Sequence, residues 1–249
     1  VTGDTGLKQT TQAAWENKYI NAEELAVIVP IPENVLADTN YDVWGEIRPR
    51  IMEAFGYAFD QAVMYGTNAP DDWPTDLLAG AVAAGNSVTL GAGADLYDDI
   101  MGVGGVISKV EDDGYMVTGH VGAMSMRSRL RGLRDANGVP IFVRTMQGAT
   151  QYELDGAPME FPSSVIAASS LLLSGDFKQV VYSIRQEITY KMLTEAVITD
   201  AAGNIVINLA QQDMVALRAV MRLGWQLPNP LNRYQQTEAS RYPIAALLP

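Results

Sequence analysis

Apolar residues along this chain keep a period of two early, a helical period in the middle of the first third, and a period of two again toward the end. Leu25, Val27 and Val29 alternate, and Trp15 and Tyr19 lie upstream of them, which predicts strands with a short break at Asn21. Pro30 and Pro32 are expected to end that run, because proline has no N–H to give to a sheet. Pro32 to Leu36 predicts one short helical turn. Then Val43, Trp44, Ile47, Ile51, Phe55, Ala58, Phe59 and Ala62 recur at spacings of three and four, predicting a helix over about residues 41–65. Asn40 or Asp42 is its candidate cap and Gly66 its stop, while Pro49 should kink it or delay its start. At 1.5 Å per residue such a helix is roughly 37 Å long, enough to cross a domain or join two.

A small-residue segment follows the loop Asn68–Pro74, and Leu96, Ile100, Val103, Ile107 and Val110 predict a second helix over about residues 95–111. Asp112-Asp113-Gly114 reads as a turn, Tyr115-Met116-Val117 as a buried strand and Ala123 to Arg134 as a basic amphipathic helix. Asn137-Gly138 and Asp155-Gly156 are hairpin signals, the first leading into a strand over Pro140 to Val143. The last third is strand-rich: Val180 to Ile184, Ile205 to Leu209 and Met214 to Trp225. The tail from Tyr242 to Pro249 is apolar enough to dock, whereas the first twelve residues have almost no apolar anchor and are expected to form an exposed, mobile loop. The sum is a mixed α+β protein.

Composition narrows this picture. The chain has 249 residues with 48% hydrophobic and 18% charged, a globular balance. Net charge is −12, which disfavours direct binding to phosphate backbones. With no cysteine and His120 as the one histidine, disulfides, thiolate metal sites and multi-histidine metal sites are excluded. No apolar run approaches a membrane span, and no signal peptide opens the chain. The absence of an initiator Met before Val1 suggests a processed or trimmed product.

No constellation carries chemistry. Gly91-Ala92-Gly93 hints at a nucleotide-binding turn, but Leu96 stands where the third glycine belongs and no phosphate-loop motif exists. Gly102-Val103-Gly104-Gly105 implies close helix packing, a helix break or a backbone-lined site. His120 has no nucleophile motif beside it. The pairs Asp71-Asp72, Asp98-Asp99 and Asp112-Asp113 are sequence neighbours, whose side chains diverge; they are expected on solvated faces or at caps. Arg127, Arg129, Arg131 and Arg134 form the basic cluster, either an ordinary exposed face or one that pairs with an acidic neighbour in an assembly.

The order of segments carries a resemblance. Leu7-Lys8 and a polar stretch precede Glu24-Leu25-Ala26-Val27-Ile28-Val29-Pro30-Ile31-Pro32, then Glu33-Asn34-Val35-Leu36, the long helix, and Met64-Tyr65-Gly66-Thr67. Further on come Gly122 to Phe142 with its Asp135-Ala136-Asn137-Gly138 turn, Asp155-Gly156-Ala157-Pro158, Leu173-Ser174-Gly175-Asp176-Phe177, and Val215 through Arg222. Over about residues 7–230 this resembles the major capsid proteins of tailed bacteriophages, the Hong Kong 97-like fold.

The resemblance implies an α+β fold with a peripheral domain, a long spine helix, an axial domain and a partial extended loop. Its divisions fall at residues 1–24 (loop remnant and strand), 25–75 (peripheral domain with the spine helix), 76–175 (axial domain) and 176–249 (return strands of the peripheral domain and tail). It implies a structural role with no enzymatic activity and no cofactor: self-assembly as hexamers and pentamers into an icosahedral shell around double-stranded DNA, in the virion after assembly in the host cytoplasm. Portal, scaffold or decoration proteins are the further partners implied; no membrane is. An acidic inner wall would keep packed DNA from sticking. The family's N-terminal arm and the first half of its extended loop precede the point where this chain begins, and since those parts embrace neighbouring subunits, failure to assemble by itself is an expectation for this chain. Some members form a Lys–Asn isopeptide bond assisted by a glutamate. Lys8 falls where that lysine would be and Asp213 near the glutamate; no asparagine matches, and Asn208 is nearest. A solvated loop lysine is the plainer reading. An encapsulin-like compartment shares the fold and is the alternative; an unrelated α+β enzyme or binding protein is the second.

Overall fold

The computed structural model describes residues 17–38, 40, 42–134, 137 and 152–249. Strand β1 (Glu23–Pro32) leads through helix α1 (Glu33–Asp38) to α2 (Val43–Tyr65). Next come α3 (Leu77–Ala84), β2 (Ser87–Thr89), α4 (Leu96–Met101) and α5 (Val106–Asp112). Strand β3 (Gly119–Gly122), α6 (Met126–Gly132), β4 (Glu153–Leu154), β5 (Ala157–Glu160) and β6 (Leu172–Gly175) follow. The chain closes with β7 (Val181–Leu193), β8 (Val197–Thr199), β9 (Ile205–Asn208), β10 (Met214–Gln226) and β11 (Ile244–Leu248). One sheet has the order β1–β10–β7, a second β2–β11–β6–β3–β5–β4, and β8 pairs with β9 as a hairpin.

Alternation in the first sheet places Leu25, Val27 and Val29 of β1, Leu217 and Ala219 of β10, and Ile188 and Tyr190 of β7 against Ile51 and Phe55 of α2. The sequence expectation holds at Pro32, the last residue of β1, but the strand runs on through Pro30; Pro30 and Pro32 lie opposite Ala216 and Met214. The reason is position. The Glu33 N–H donates to Asp213 O at 2.9 Å, so odd positions turn their N–H toward β10 and both prolines face the open outer edge, where no donor is required.

Helix α2 starts at Val43, so Pro49 does not delay it, and at 23 residues it is about 35 Å long. Asp42 holds the cap position without a side-chain cap bond, and Gly66 stops the helix in a left-handed conformation (φ 66°). Its far end reaches the second sheet, where Val63 packs with Trp225 of β10, Leu77 and Ala81 of α3, and Leu173 of β6. The same helix therefore belongs to both cores.

The six-stranded sheet is built around the chain's end. β11 lies between β2, to which it is parallel, and β6, to which it is antiparallel. Ile244 and Ala246 face the core that holds Val63 and Trp225. Ala245 and Leu247 face the opposite core with Ile100, Val106, Met126 and Leu172. A strand buried on both faces reads as a continuous apolar run, which Ile244-Ala245-Ala246-Leu247-Leu248 is. The tail thus lies in the sheet formed by β2 to β6.

Two further expectations are corrected, and one segment without a predicted element gains a helix. The second helix is two helices, α4 and α5, parted at Gly102–Gly105, where Gly104 takes a positive φ of 79°. Residues 115–117 are not a strand; the strand starts at Gly119, and Met116 is exposed. The small-residue segment contains α3, whose start is capped by Asp76 accepting from the Ala79 N–H at 2.8 Å. The hairpin at Asp155-Gly156 is present, with both residues at positive φ (49° and 73°) as a two-residue primed turn requires. The expected strand over Pro140 to Val143, the Asp135 to Gly138 turn and the N-terminal loop lie outside the described residues, Asn137 excepted.

The start of β11 is held by a buried carboxylate. Asp113 Oδ2 accepts from the Tyr242 N–H (2.9 Å) and from Asn86 Nδ2 (2.6 Å), and Asn86 also donates to Tyr242 O (3.1 Å). Replacing Asp113 with Ala leaves these buried donors unsatisfied. We expect Asp113→Ala to lower stability by about 3 kcal/mol in chemical denaturation; a change below about 0.5 kcal/mol would contradict this account of the strand's anchoring.

Candidate functional site

The open end of the first sheet is a surface the fold leaves uncovered among the described residues. Among the described residues β7 is paired on one side only, and its 13 residues present an open edge. Val181 to Glu187 are all exposed, including Tyr182 at 64% and Ile184 at 47%. A long exposed edge strand is a ready template for another chain. Beyond it, the β8–β9 hairpin pairs with no further strand among the described residues and exposes Val197, Ile205 and Val206. An isolated two-stranded hairpin is marginal in water, so these side chains gain from a partner. Its turn is fixed internally: the Asp200 carboxylate accepts from Asn204 Nδ2 (3.1 Å) and from the Asn204 and Ala202 N–H groups (2.8 and 2.9 Å). Those bonds, led by the Asn204 side chain, hold its pKa below the usual carboxylate value.

The outward face of α2 forms one wall of a groove of about 710 Å³ that runs past Arg50, Glu53, Tyr57 and Asp60 and is closed by Pro162 to Ser164. Ser164 Oγ donates to Asp60 Oδ2 at 3.0 Å, and Gln61 Nε2 donates to Ser164 O. These bonds fix the groove's wall to the helix. A second crevice of about 360 Å³ is apolar, with Leu25, Phe59, Ala62, Trp73 and Leu223 in its walls. Neither brings a nucleophile and a base together.

The residues singled out from sequence separate. Arg127, Arg129, Arg131 and Arg134 do not share one solvent face: Arg127 is half-buried, with its guanidinium 4.8 Å from the Tyr152 ring centre and 5.7 Å from that of Phe161. It also donates to Tyr152 Oη, so it clamps α6 to the β4–β5 hairpin. Arg129, Arg131 and Arg134 are exposed, and Arg131 and Arg134 donate to backbone carbonyls of their own segment. Asn208 and Asp213 come together on the turn between β9 and β10: Asn208 O accepts from the Gln211 and Gln212 N–H groups, and Asp213 (φ 47°) gives its carbonyl to Glu33. Lys8 lies outside the described residues.

The acid pairs diverge, but not as solvated faces or caps throughout. Asp99 is buried, its two oxygens accepting from the Gly91 and Gly93 N–H groups at 2.7 and 2.6 Å. The Gly91–Gly93 turn is thus filled by the protein's own carboxylate, which occupies the position a phosphate would need. Asp113 is buried as the anchor of β11. Adjacent-acid spacing gave no sign of either role, because burial of one member of each pair depends on distant elements.

His120 is structural. It is 1% exposed, with Nδ1 2.8 Å from Ser174 Oγ and Nε2 3.0 Å from Leu154 O. A carbonyl accepts only, so Nε2 carries the proton and Nδ1 accepts from the serine. Burial pushes its pKa below the ordinary 6.5. Among the described residues no group of three or more metal-ligating side chains occurs, and no helix is long and apolar enough to cross a membrane.

Known proteins share this architecture. The model of the phage capsid family matches residues 1–231. A major capsid protein of Staphylococcus phage 80alpha is 29% identical over 219 residues, covering 87% of this chain and 64% of that protein. The chain therefore spans somewhat less than two thirds of that relative. A solved structure from Microbacterium phage Oxtober96 superposes with a TM-score of 0.83 at 37% identity, covering 99% of this chain and 79% of that one. Another, from Mycobacterium phage Adephagia, gives a TM-score of 0.81 at 28% identity, covering 100% and 78%.

The buried histidine makes stability depend on pH with a defined sign. Its folded pKa is depressed, so the unfolded chain takes the proton first as pH falls. Its contribution is full above about pH 6.5 and is lost progressively below that value. The melting temperature should therefore drop between pH 7 and pH 5, and His120→Gln should flatten that slope while leaving the carboxylate-driven loss below pH 5.

Proposed function

The chain belongs to the phage capsid family, and from that premise we propose that it is the folded body of a major capsid subunit that self-assembles as hexamers and pentamers into an icosahedral shell around phage DNA. The observation that carries this reading is the uncovered end of the first sheet: an open 13-residue edge with exposed Tyr182 and Ile184, continued by a hairpin exposing Val197, Ile205 and Val206. A subunit that works alone gains nothing from such a surface; one that is repeated by symmetry covers it many times over. The role is structural, and neither groove on α2 supports catalysis. An encapsulin-like compartment is the less favoured reading, because relatives that match this chain are named as phage capsid proteins.

In that assembly residues 25–75 and the strands β7 to β10 form the peripheral unit, and residues 76–175, completed by β11, form the axial unit. Arg129, Arg131 and Arg134 are the arginines left to meet an acidic neighbour, since Arg127 is engaged within its own subunit. Portal, scaffold or decoration proteins and assembly in the host cytoplasm belong to the same reading. A separate proposal concerns an inter-subunit isopeptide bond. The Lys8 amine would attack the amide of Asn208 on another subunit and release ammonia, with Asp213 as proton acceptor. Its support is that Asn208 and Asp213 share one turn.

Two measurements test these readings. Electron microscopy of the full-length expressed protein should show round particles of even size, and a species that is strictly monomeric in solution would overturn the shell role. Denaturing electrophoresis of assembled particles should show covalent multimers if the Lys8 bond forms; a single monomer band rules it out.

A further inference from the structure

Arg185 and Glu187 sit two residues apart on the open strand β7, both exposed, and neither has a salt bridge or side-chain hydrogen bond among the described residues. Between and beside them the strand is exposed without a break from Val181 to Glu187. Within the assembly proposed above, we infer that β7 is a docking edge for β7 of a second copy of this chain, the two running antiparallel about a two-fold axis at Gln186.

The argument is one of register. With the axis at Gln186, Arg185 faces Glu187 of the second copy and Glu187 faces its Arg185. Ile184 then meets Ile188, Ser183 meets Thr189 and Tyr182 meets Tyr190. Opposite charges and like-for-like apolar pairs coincide in one alignment, and cross-strand pairs of both kinds favour association. Moving the axis by one residue puts either two Arg185 or two Glu187 side chains directly opposite each other, which is unfavourable. An isologous contact of this kind is self-complementary by construction.

The other open edge is a poor candidate. β1 turns Pro30 and Pro32 outward, where they remove two donors from any ladder. β7 itself is irregular against β10, with register shifts where Val220, Arg222 and Leu223 meet Thr189, Gln186 and Ile184. Such bulges twist a strand and interrupt its backbone ladder locally, here once on each side of Gln186. The alignment at the axis is therefore set by side chains, above all by the two Arg185–Glu187 pairs.

The test is a charge swap in the full-length expressed protein. Arg185→Glu and Glu187→Arg are made singly and together, and the yield of particles is read by sedimentation and electron microscopy, with the melting temperature as the control for folding. Each single reversal should cut particle yield at least about tenfold while the subunit stays folded, and the double variant should recover most of it, since the swap restores both pairs. Singles that assemble like the parent overturn the inference. So does a folded double variant no better than the singles, or rescue of Glu187→Arg by Lys191→Glu instead of Arg185→Glu, which would place the axis near Thr189. Failure of the unaltered full-length protein to form any particle would sink the shell reading itself, and this inference with it, a result distinct from all of these.

Discussion

Everything in this molecule depends on the insertion of its last strand into the middle of the larger sheet. β11 gives Ile244 and Ala246 to one core and Ala245 and Leu247 to the other, and all four are fully buried. Without it β2 has no partner and β6 loses one of its two neighbours. Two long elements then extend this constraint to the smaller sheet. Helix α2 carries Ile51 and Phe55 in the peripheral core and Val63 in the central one; β10 carries Leu217 in the first and Trp225 in the second. The two sheets share these rods, so neither can shift without disturbing the other's packing.

Polar burial is concentrated where that strand enters. Asp113, Asn86 and Arg241 are all buried, and each is bonded: Asp113 and Asn86 to Tyr242, Arg241 to Asn229 and to Gln235 O. A hydrogen-bonded buried network of this kind specifies one alignment of the chain, because any slip leaves donors without acceptors. The opposite end of the molecule is the reverse case. β7 and the β8–β9 hairpin expose apolar side chains, and Arg185 and Glu187 of β7 have no ion pair among the described residues. Asp113, Asn86 and Arg241 thus find their partners inside the subunit, whereas the exposed edge of the smaller sheet finds none among the described residues, the distribution expected of a part whose remaining contacts come from other copies.

Sequence reading succeeded where periodicity was undisturbed. The long helix, its glycine stop, the Asp155-Gly156 hairpin and the late strands were all legible, because local pattern and final packing agree there. It failed where tertiary context overrides a local rule. Prolines end a strand only if their missing N–H is needed, and whether β1 lies at an edge cannot be read from β1. The run Leu77 to Ala84 is a helix without amphipathic rhythm, so period gave no signal for it. The buried roles of Asp99 and Asp113 come from glycine and tyrosine N–H groups that reach them only in the fold. The open edge of β7 was missed for a related reason: its alternation predicted a strand, but not that nothing would lie against it.

An exposed edge and a net charge of −12 pull in opposite directions, and the local arrangement reconciles them. Copies of an acidic chain repel, yet at physiological salt that repulsion is screened over about 8 Å, whereas a pair of opposite charges in contact is not. Unspecific pairing of strand edges is the hazard such a subunit must avoid. β1 blunts it with two outward prolines, and β7 blunts it with bulges that spoil a continuous ladder. What these devices leave open is contact in which Arg185 and Glu187 each find the opposite charge. The same features that keep separate copies from sticking at random therefore restrict their meeting to one alignment, and in a structure built by repetition alignment matters more than the strength of any single contact.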